Sequence, residues 1–227
     1  MNEKGELAGF SIEVVREIQR RINNSDPIKI VPESRALKIA SQKSNVVLFS
    51  FSRTPEREEK FHWITLLLRK PWVLYAKKGA NIQIENLEDA KKFKSIGVVN
   101  GDIRALHLQR MGFTNLHGVS THEQNVRKLR RNRIEAIFYE PQGMASACRK
   151  LGIPMSEFEV VYKTEPSEGY IMMSKVGTKP AAVKKWRDTA FQLKEDGTFH
   201  RIAEKWAAII CAYTGASCSV KDGVLHF

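Results

Sequence analysis

The sequence predicts an α/β fold of two Rossmann-like lobes with mainly parallel sheets, and three observations carry that prediction. Short apolar runs of strand length alternate with segments whose apolar residues recur at helical spacing. The alternation halts at Lys77-Lys78-Gly79 and restarts at Ser95, which divides the chain into two lobes. The chain has 227 residues, 42% of them hydrophobic and 27% charged, enough to fill two small cores with an ordinary globular composition.

Each element follows from a local pattern. Phe10, Val14, Ile18 and Ile22 fall on one helical face, with Arg16, Glu17, Arg20 and Arg21 opposite. Residues 27–31 (Pro-Ile-Lys-Ile-Val) alternate as a short strand. Ser34 is placed to cap a helix carrying Leu37, Ile39 and Ala40. Val46-Val47-Leu48-Phe49 is a continuous apolar run, the pattern of a strand buried on both faces. Residues 71–76 form another strand.

The second lobe opens with a strand at 95–99, and Asp102 caps a helix through Ala105, Leu106 and Met111 that Gly112 ends. A short strand spans 116–119. Thr121-His122-Glu123-Gln124 has capping-box spacing ahead of a basic helix. A strand at 134–139 stops at Pro141 and leads into a helix through Ala145, Cys148 and Leu151. Strands follow at 158–162 and 170–174. Pro180 opens a helix with Val183, Trp186, Ala190 and Phe191 inward, which Gly197 closes. Thr198 caps a last helix with Phe199, Ile202 and Trp206 inward. The tail beyond Ile210 has no clear period, and no internal repeat is present.

Composition excludes several functions. No run approaches the roughly 18 apolar residues of a membrane span. Met1–Glu6 has no apolar stretch of the kind that makes a secretory signal. The formal charge is +12, concentrated at Lys91–Lys94 and Arg127–Arg133. Val126 and Leu129 turn inward in the second cluster, so it reads as a solvated helix face, with an anion-binding surface as the alternative. No aromatics interleave with those charges, which argues against nucleic acid as a partner. Cys148 is expected to be a buried apolar residue. Cys211 and Cys218 flank a short tail segment and are open to two readings, a disulfide or two thiols. There is no Cys-x-x-Cys pair and no metal-ligand spacing among the histidines, so no metal site or cofactor is expected.

In open α/β sheets, ligands bind beyond the carboxyl ends of the strands. That rule points to the loops after Phe49, Val99 and Tyr139. The first loop carries Ser50, Ser52, Arg53 and Arg57 and ends at Trp63. A guanidinium donates two parallel hydrogen bonds to a carboxylate, and serine hydroxyls serve either end of a zwitterion. The alternative pairs these arginines with Glu56, Glu58 or Glu59 on the surface. Arg35, after a proline, is a further ligand candidate. Trp63 is a candidate cleft wall, whereas Trp72 at strand spacing fits a core.

Several segments together resemble the amino-acid-type periplasmic solute-binding proteins, family 3. They are Gly5-Glu-Leu-Ala-Gly9-Phe10 before a helix, Val31-Pro32-Glu33-Ser34-Arg35-Ala36, and the Arg53-Thr54-Pro55-Glu56-Arg57-Glu58 loop. Gly97–Asp102, Arg133-Ile134-Glu135-Ala136 and the stretch from Gly197 to Trp206 complete the set. The resemblance covers about residues 5–210. It implies a type II periplasmic-binding-protein fold: lobe one at 1–76 plus 170–227, lobe two at 77–169, two hinge strands, and capture of solute by hinge closure.

The resemblance also implies roles. Arg57 grips the ligand carboxylate, Ser52 adds hydroxyl and backbone contacts, and the turn Gly101-Asp102-Ile103 offers helix amides to an anion. Asp102 departs from the Thr or Ser usual there and repels a carboxylate, which favours a cationic or neutral group nearby. Glu140, beside Tyr139, is a candidate for the ligand's amino group, with Glu165 and Glu168 as others. The family's first strand has no counterpart ahead of Gly5, so a longer native product is expected. The implied function is extracytoplasmic capture of an amino-acid-like or carboxylate-bearing solute by a monomer, without catalysis, for delivery to an ABC-type permease. Alternatives are a ligand-sensing input domain of a signalling protein and, further off, a small-molecule enzyme on the same fold.

Overall fold

The computed structural model describes residues 7–214 and 218–227, so Gly5 of the opening motif lies outside the described residues. In chain order the first half contains α1 (Phe10–Arg21), α2 (Glu33–Gln42), β1 (Val47–Ser52), α3 (Pro55–Glu58), β2 (Phe61–Lys70), β3 (Val73–Lys77), β4 (Ile96–Val99) and α4 (Ile103–Arg110). Then come β5 (Leu116–Val119), α5 (His122–Arg130), β6 (Ala136–Tyr139), α6 (Pro141–Leu151) and β7 (Phe158–Lys163). The remainder is β8 (Ser167–Ser174), α7 (Pro180–Glu195), α8 (Thr198–Thr214), β9 (Ser219–Lys221) and β10 (Val224–His226).

Two compact units result. One comprises Met1–Lys70, Ser167–Cys211 and Ser217–Phe227; the other comprises Pro71–Pro166 and Ala212–Ala216. The division falls a few residues before the expected 76/77 and 169/170. The reason is pairing: β3 joins the second sheet through β6 and β7, while β8 joins the first from Ser167 onward.

The first unit's sheet has the order β1-β8-β2-β10-β9. β8 runs antiparallel to both β1 and β2, and β10 runs parallel to β2 and antiparallel to β9. The helical spacing of Val14 and Ile18 brings both side chains into full burial, against Leu67, Ile171, Leu193 and Phe199. The second unit's sheet has the order β5-β4-β6-β3-β7. Here β4 is parallel to β5 and β6, whereas β3 is antiparallel to β6 and β7. The sheets are therefore mixed, a correction to the expectation of mainly parallel ones. Parallel pairing holds where α4 and α5 supply crossovers between β4, β5 and β6.

Other expectations change as well. Residues 27–31 form no strand, and Ile30 is 75% exposed. The segment lines the groove beside β1 without pairing to it. β1 is the edge of its sheet rather than a strand buried on both faces. A groove of about 770 Å³ lies alongside it, lined by Ile22, Ile28, Val31, Val46, Phe49 and Trp186 among others. α2 starts at Glu33 after Pro32, so Ser34 lies inside the helix instead of capping it. Phe191 is 62% exposed, because the buried stripe of α7 is Val183, Trp186, Ala190 and Leu193. The tail continues α8 to Thr214 and ends in the β9–β10 hairpin. Asp102 and Thr121 cap α4 and α5 as expected, the latter in a full capping box.

The α1 helix is tied to the turn between α7 and α8. Glu17 accepts from Arg20 at 2.7 Å and Arg21 at 3.0 Å, and Arg21 reaches Asp196 at 2.5 Å. The hydrogen bond from Arg20 outweighs the upward push of burial; with Arg21's help it lowers the Glu17 carboxyl from 4.5 to about 2. A carboxyl lowered on folding stabilises the protein above its unfolded value, and the gain is lost as pH falls through 4.5 and down past about 2. Solvent screening limits it to about 1 kcal/mol. Glu17→Gln is expected to lower the melting temperature at pH 7, and the difference is expected to shrink steadily from pH 4.5 to pH 2. Thermal melts across that range check this; a pH-independent difference contradicts it.

Candidate functional site

In the first unit, the residues singled out from sequence gather where β1 runs into α3. Ser50 takes a left-handed backbone, φ 64°, at the point where the β1–β8 register shifts. The resulting bulge re-aims the strand end. The Ser50 hydroxyl donates to Ser11 at 2.7 Å, and Ser52 and Ser167 hydroxyls lie 3.0 Å apart. Arg57 keeps only 12% of its side chain exposed. Its guanidinium donates to the Ser52 carbonyl at 3.2 Å and to Glu33 at 2.7 Å, and sits 5.4 Å from the Phe51 ring. Arg53 donates to Glu58 at 2.8 Å and lies 5.3 Å over Trp63 and 5.5 Å from Tyr170. The Glu58 hydrogen bond outweighs the small desolvation cost and raises the Arg53 pKa.

These aromatics are fixed. Trp63 is buried and meets Tyr170 edge-on at 5.5 Å. Tyr170 donates to Glu168 at 2.9 Å, and Glu168 also accepts from Arg69 at 2.6 Å. The Arg69 hydrogen bond, ahead of the opposing effect of burial, holds the Glu168 carboxyl below its ordinary value. Arg35 stands exposed on the first turn of α2. Arg53 therefore takes one of the local glutamate partners considered from sequence. Arg57 takes instead Glu33, 24 positions earlier.

In the second unit, three loops at the carboxyl ends of β4, β5 and β6 build a compact ion set. Gly101, at φ 75°, makes the turn that no side-chain-bearing residue takes easily, and Asp102 follows as N-cap. The Asp102 carboxylate accepts the Arg104 backbone amide at 2.8 Å and its Nε at 2.7 Å, with a further contact from Nη2. Arg104 is 8% exposed, lies 3.3 Å from Glu140 and sits 4.7 Å over the Tyr139 ring. His122, the first residue of α5, stacks on Tyr139 with centroids 3.5 Å apart and has Nε2 3.7 Å from Asp102. Tyr139 fits against α6 only because position 143 is glycine: a Cβ there would lie 2.2 Å from the phenol ring.

Burial alone pushes the Asp102 carboxyl up, but hydrogen bonds from His122 and Arg104 outweigh it and leave the group well below the carboxylate range. Burial, then the Glu140 charge, pushes the Tyr139 phenol up. Two carboxylates, those of Asp102 and Glu140, flank the one guanidinium of Arg104, an arrangement suited to a cationic or donor-rich group.

The resemblance assigned the amides at Gly101-Asp102-Ile103 to a ligand's anionic group. The next amide, that of Arg104, donates to the Asp102 carboxylate at 2.8 Å. Arg104 and His122 were missed from sequence. The signal for His122 existed, since the Thr121 capping box places it at the end of β5, a loop left out when only the ends of three other strands were considered. Arg104 had no local signal. Among the described residues no group of three His, Cys, Asp or Glu side chains is arranged to hold a metal ion.

Arg104→Met is expected to destabilise the protein by about 2–4 kcal/mol, because it leaves the half-buried Asp102 and Glu140 without their cation. Adding Asp102→Asn to that variant is expected to restore part of the loss. Urea denaturation of the single and double variants checks this; additive losses contradict it.

The sequence profile of bacterial extracellular solute-binding proteins, family 3, matches residues 1–209. The chain is 21% identical over 210 residues to the "Probable amino-acid-binding protein YxeM" of Bacillus subtilis (strain 168), covering 90% of this chain and 77% of that protein. An ancestral arginine-binding protein bound to arginine superposes with a TM-score of 0.73 at 22% identity, covering 90% of each chain. A histidine kinase sensor domain with similarity to periplasmic binding proteins superposes with a TM-score of 0.77 at 14% identity, covering 90% of this chain and 88% of that one. These structural likenesses show the two-lobed α/β fold. The profile match shows the family: the chain belongs to the bacterial extracellular solute-binding proteins, family 3.

Proposed function

We propose that this solute-binding protein captures a small polar, amino-acid-like or carboxylate-bearing solute outside the cytoplasm and delivers it to an ABC-type permease. Arg57 is the proposed anchor for the solute's anionic group. Asp102 and Glu140 are the proposed acceptors for its cationic or donor group, with Ser50, Ser52 and Arg53 as further contacts. The observation that carries this reading is the pre-organised Arg57 guanidinium. It is nearly buried and pinned to the Ser52 carbonyl and Glu33, so little side-chain freedom remains to be lost on binding. The two carboxylates beside Arg104, Asp102 and Glu140, support an opposite preference in the second unit. The amino-acid-binding relative supports the solute class.

A thermal-shift screen against amino acids, small carboxylates, polyamines and sugars tests the proposal, since a solute bound only by the folded state raises the melting temperature. An affinity of about 1 μM, roughly −8 kcal/mol, is expected for the true solute. Arg57→Ala is expected to weaken a carboxylate-bearing hit by about 2–5 kcal/mol, enough to abolish the shift at screening concentration. A hit that keeps its affinity in Arg57→Ala removes the proposed anion anchor.

A further inference from the structure

The far end of α5 carries a second cluster of charge, apart from the ion set around Arg104. Arg131 caps the helix that His122 opens, about 13 Å further along the axis. The helix turns Asn125, Val126 and Leu129 into the core and leaves Arg127, Arg130 and Arg131 exposed. Backbone hydrogen bonds fix its last turn. The Arg131 amide donates to the Arg127 carbonyl at 3.3 Å, that of Asn132 to Leu129 at 3.0 Å, and that of Arg133 to Lys128 at 2.9 Å. Asn132 takes a left-handed φ of 54°, which folds the chain back so that Arg133 returns to Lys128. Arg127, Lys128, Arg131 and Arg133, with Val119 and Gln124, line a shallow concavity of about 250 Å³ that holds no carboxylate.

The neighbouring acids are engaged elsewhere. Glu157 accepts from Arg130 at 2.8 Å, Glu123 from Lys150 at 3.0 Å, and Glu135 from the Lys94 amide at 2.6 Å. Lys128 donates to His117 Nδ1 at 3.1 Å, an imidazole in place of a carboxylate. Among the described residues, no carboxylate lies within ion-pair distance of the four cations that line the hollow. The Gln124 side-chain oxygen accepts the Ser120 and Thr121 amides at 3.0 and 3.3 Å, so that side chain has only donors left for a ligand. Cations at a helix C-terminus complement its dipole, but that effect fades beyond the last turn and does not call for four charges around one hollow. Like charges gathered there repel one another and focus a positive potential.

We propose that this concavity binds a small free polyphosphate, an anion of two or three linked phosphate groups. Guanidinium groups hold phosphate oxygens through paired, charge-assisted hydrogen bonds, and three of the four lining cations are arginines. A hollow takes a compact anion, whereas a membrane surface meets a flat or convex face. The site is separate from the proposed solute site and does not rest on the solute's identity.

Isothermal titration calorimetry of the full chain with sodium tripolyphosphate in low-salt buffer tests this. One equivalent is expected to bind with a Kd of about 100 μM or tighter, weakening as salt is raised. The double variant Arg131→Gln, Arg133→Gln removes two exposed side chains, leaves the core intact, and is expected to raise the Kd at least about tenfold. Arg127→Gln, at a separate exposed position, is expected to act in the same direction. The control Lys38→Gln, Lys43→Gln removes the same charge from an exposed stretch of the first unit and is expected to leave the Kd within about twofold. No binding by the wild type at about 1 mM ligand overturns the proposal. So does unchanged affinity in both arginine variants, or an equal loss in the lysine control. Binding to phosphatidylglycerol vesicles without binding to tripolyphosphate overturns it as well and gives this face to a membrane surface.

Discussion

The first unit depends on one strand that arrives late. β1 and β2 are consecutive in the chain but not neighbours in the sheet; β8 runs between them and pairs antiparallel with both. β2 ends at Lys70 and β8 begins at Ser167, with the whole second sheet made in between. Until β8 is in place, the facing edges of β1 and β2 leave backbone donors and acceptors unpaired, a cost that burial does not allow. The same strand carries Ile171 and Met172 into full burial. It also positions the candidate binding residues. Ser167 meets Ser52, the Glu168 carbonyl accepts the Arg53 amide at 3.4 Å, and Tyr170 lies beside the Arg53 guanidinium. The seam that completes the sheet is thus also the scaffold of the arginine loop.

The second unit is organised around a buried charge. Arg104 is satisfied only when the start of α4 and the end of β6 meet around it, and the start of α5 brings His122 to the same place. A guanidinium taken from water without such partners costs several kcal/mol. This arrangement holds Asp102, Glu140 and Tyr139 in fixed positions at the carboxyl ends of two strands, β4 and β6, which is where the fold class places ligands. It also places two carboxylates, those of Asp102 and Glu140, around the one guanidinium of Arg104.

Much of the fold was legible because helix patterns are local. The spacing of Phe10, Val14 and Ile18, and the caps Asp102 and Thr121, are decided within a few residues. What escaped depends on distant partners. Residues 27–31 alternate as a strand does, but alternation describes a face and cannot supply an edge to pair with. Strand direction is likewise set by topology, so the antiparallel pairings of β3 and β8 left no local mark. At the candidate site, Arg57 was found through its loop motif, yet its partner Glu33 lies on another helix. Arg104 looked like any exposed helical arginine, because its burial comes from β6 and α5 packing over it. Phe191 went the other way: helical phase alone placed it inward, and the packing of α7 leaves it in solvent.

We propose that solute binding involves the arginine loop after β1 in the first unit and the ion set around Arg104 in the second. Amide hydrogen exchange, with and without a saturating solute identified by the screen, tests it most directly. Slowed exchange is expected in residues 50–57 of the first unit and in residues 101–104 of the second, with no comparable change in the basic helix α5 beyond His122. Protection confined to one stretch, or centred on Arg127–Arg133, contradicts it.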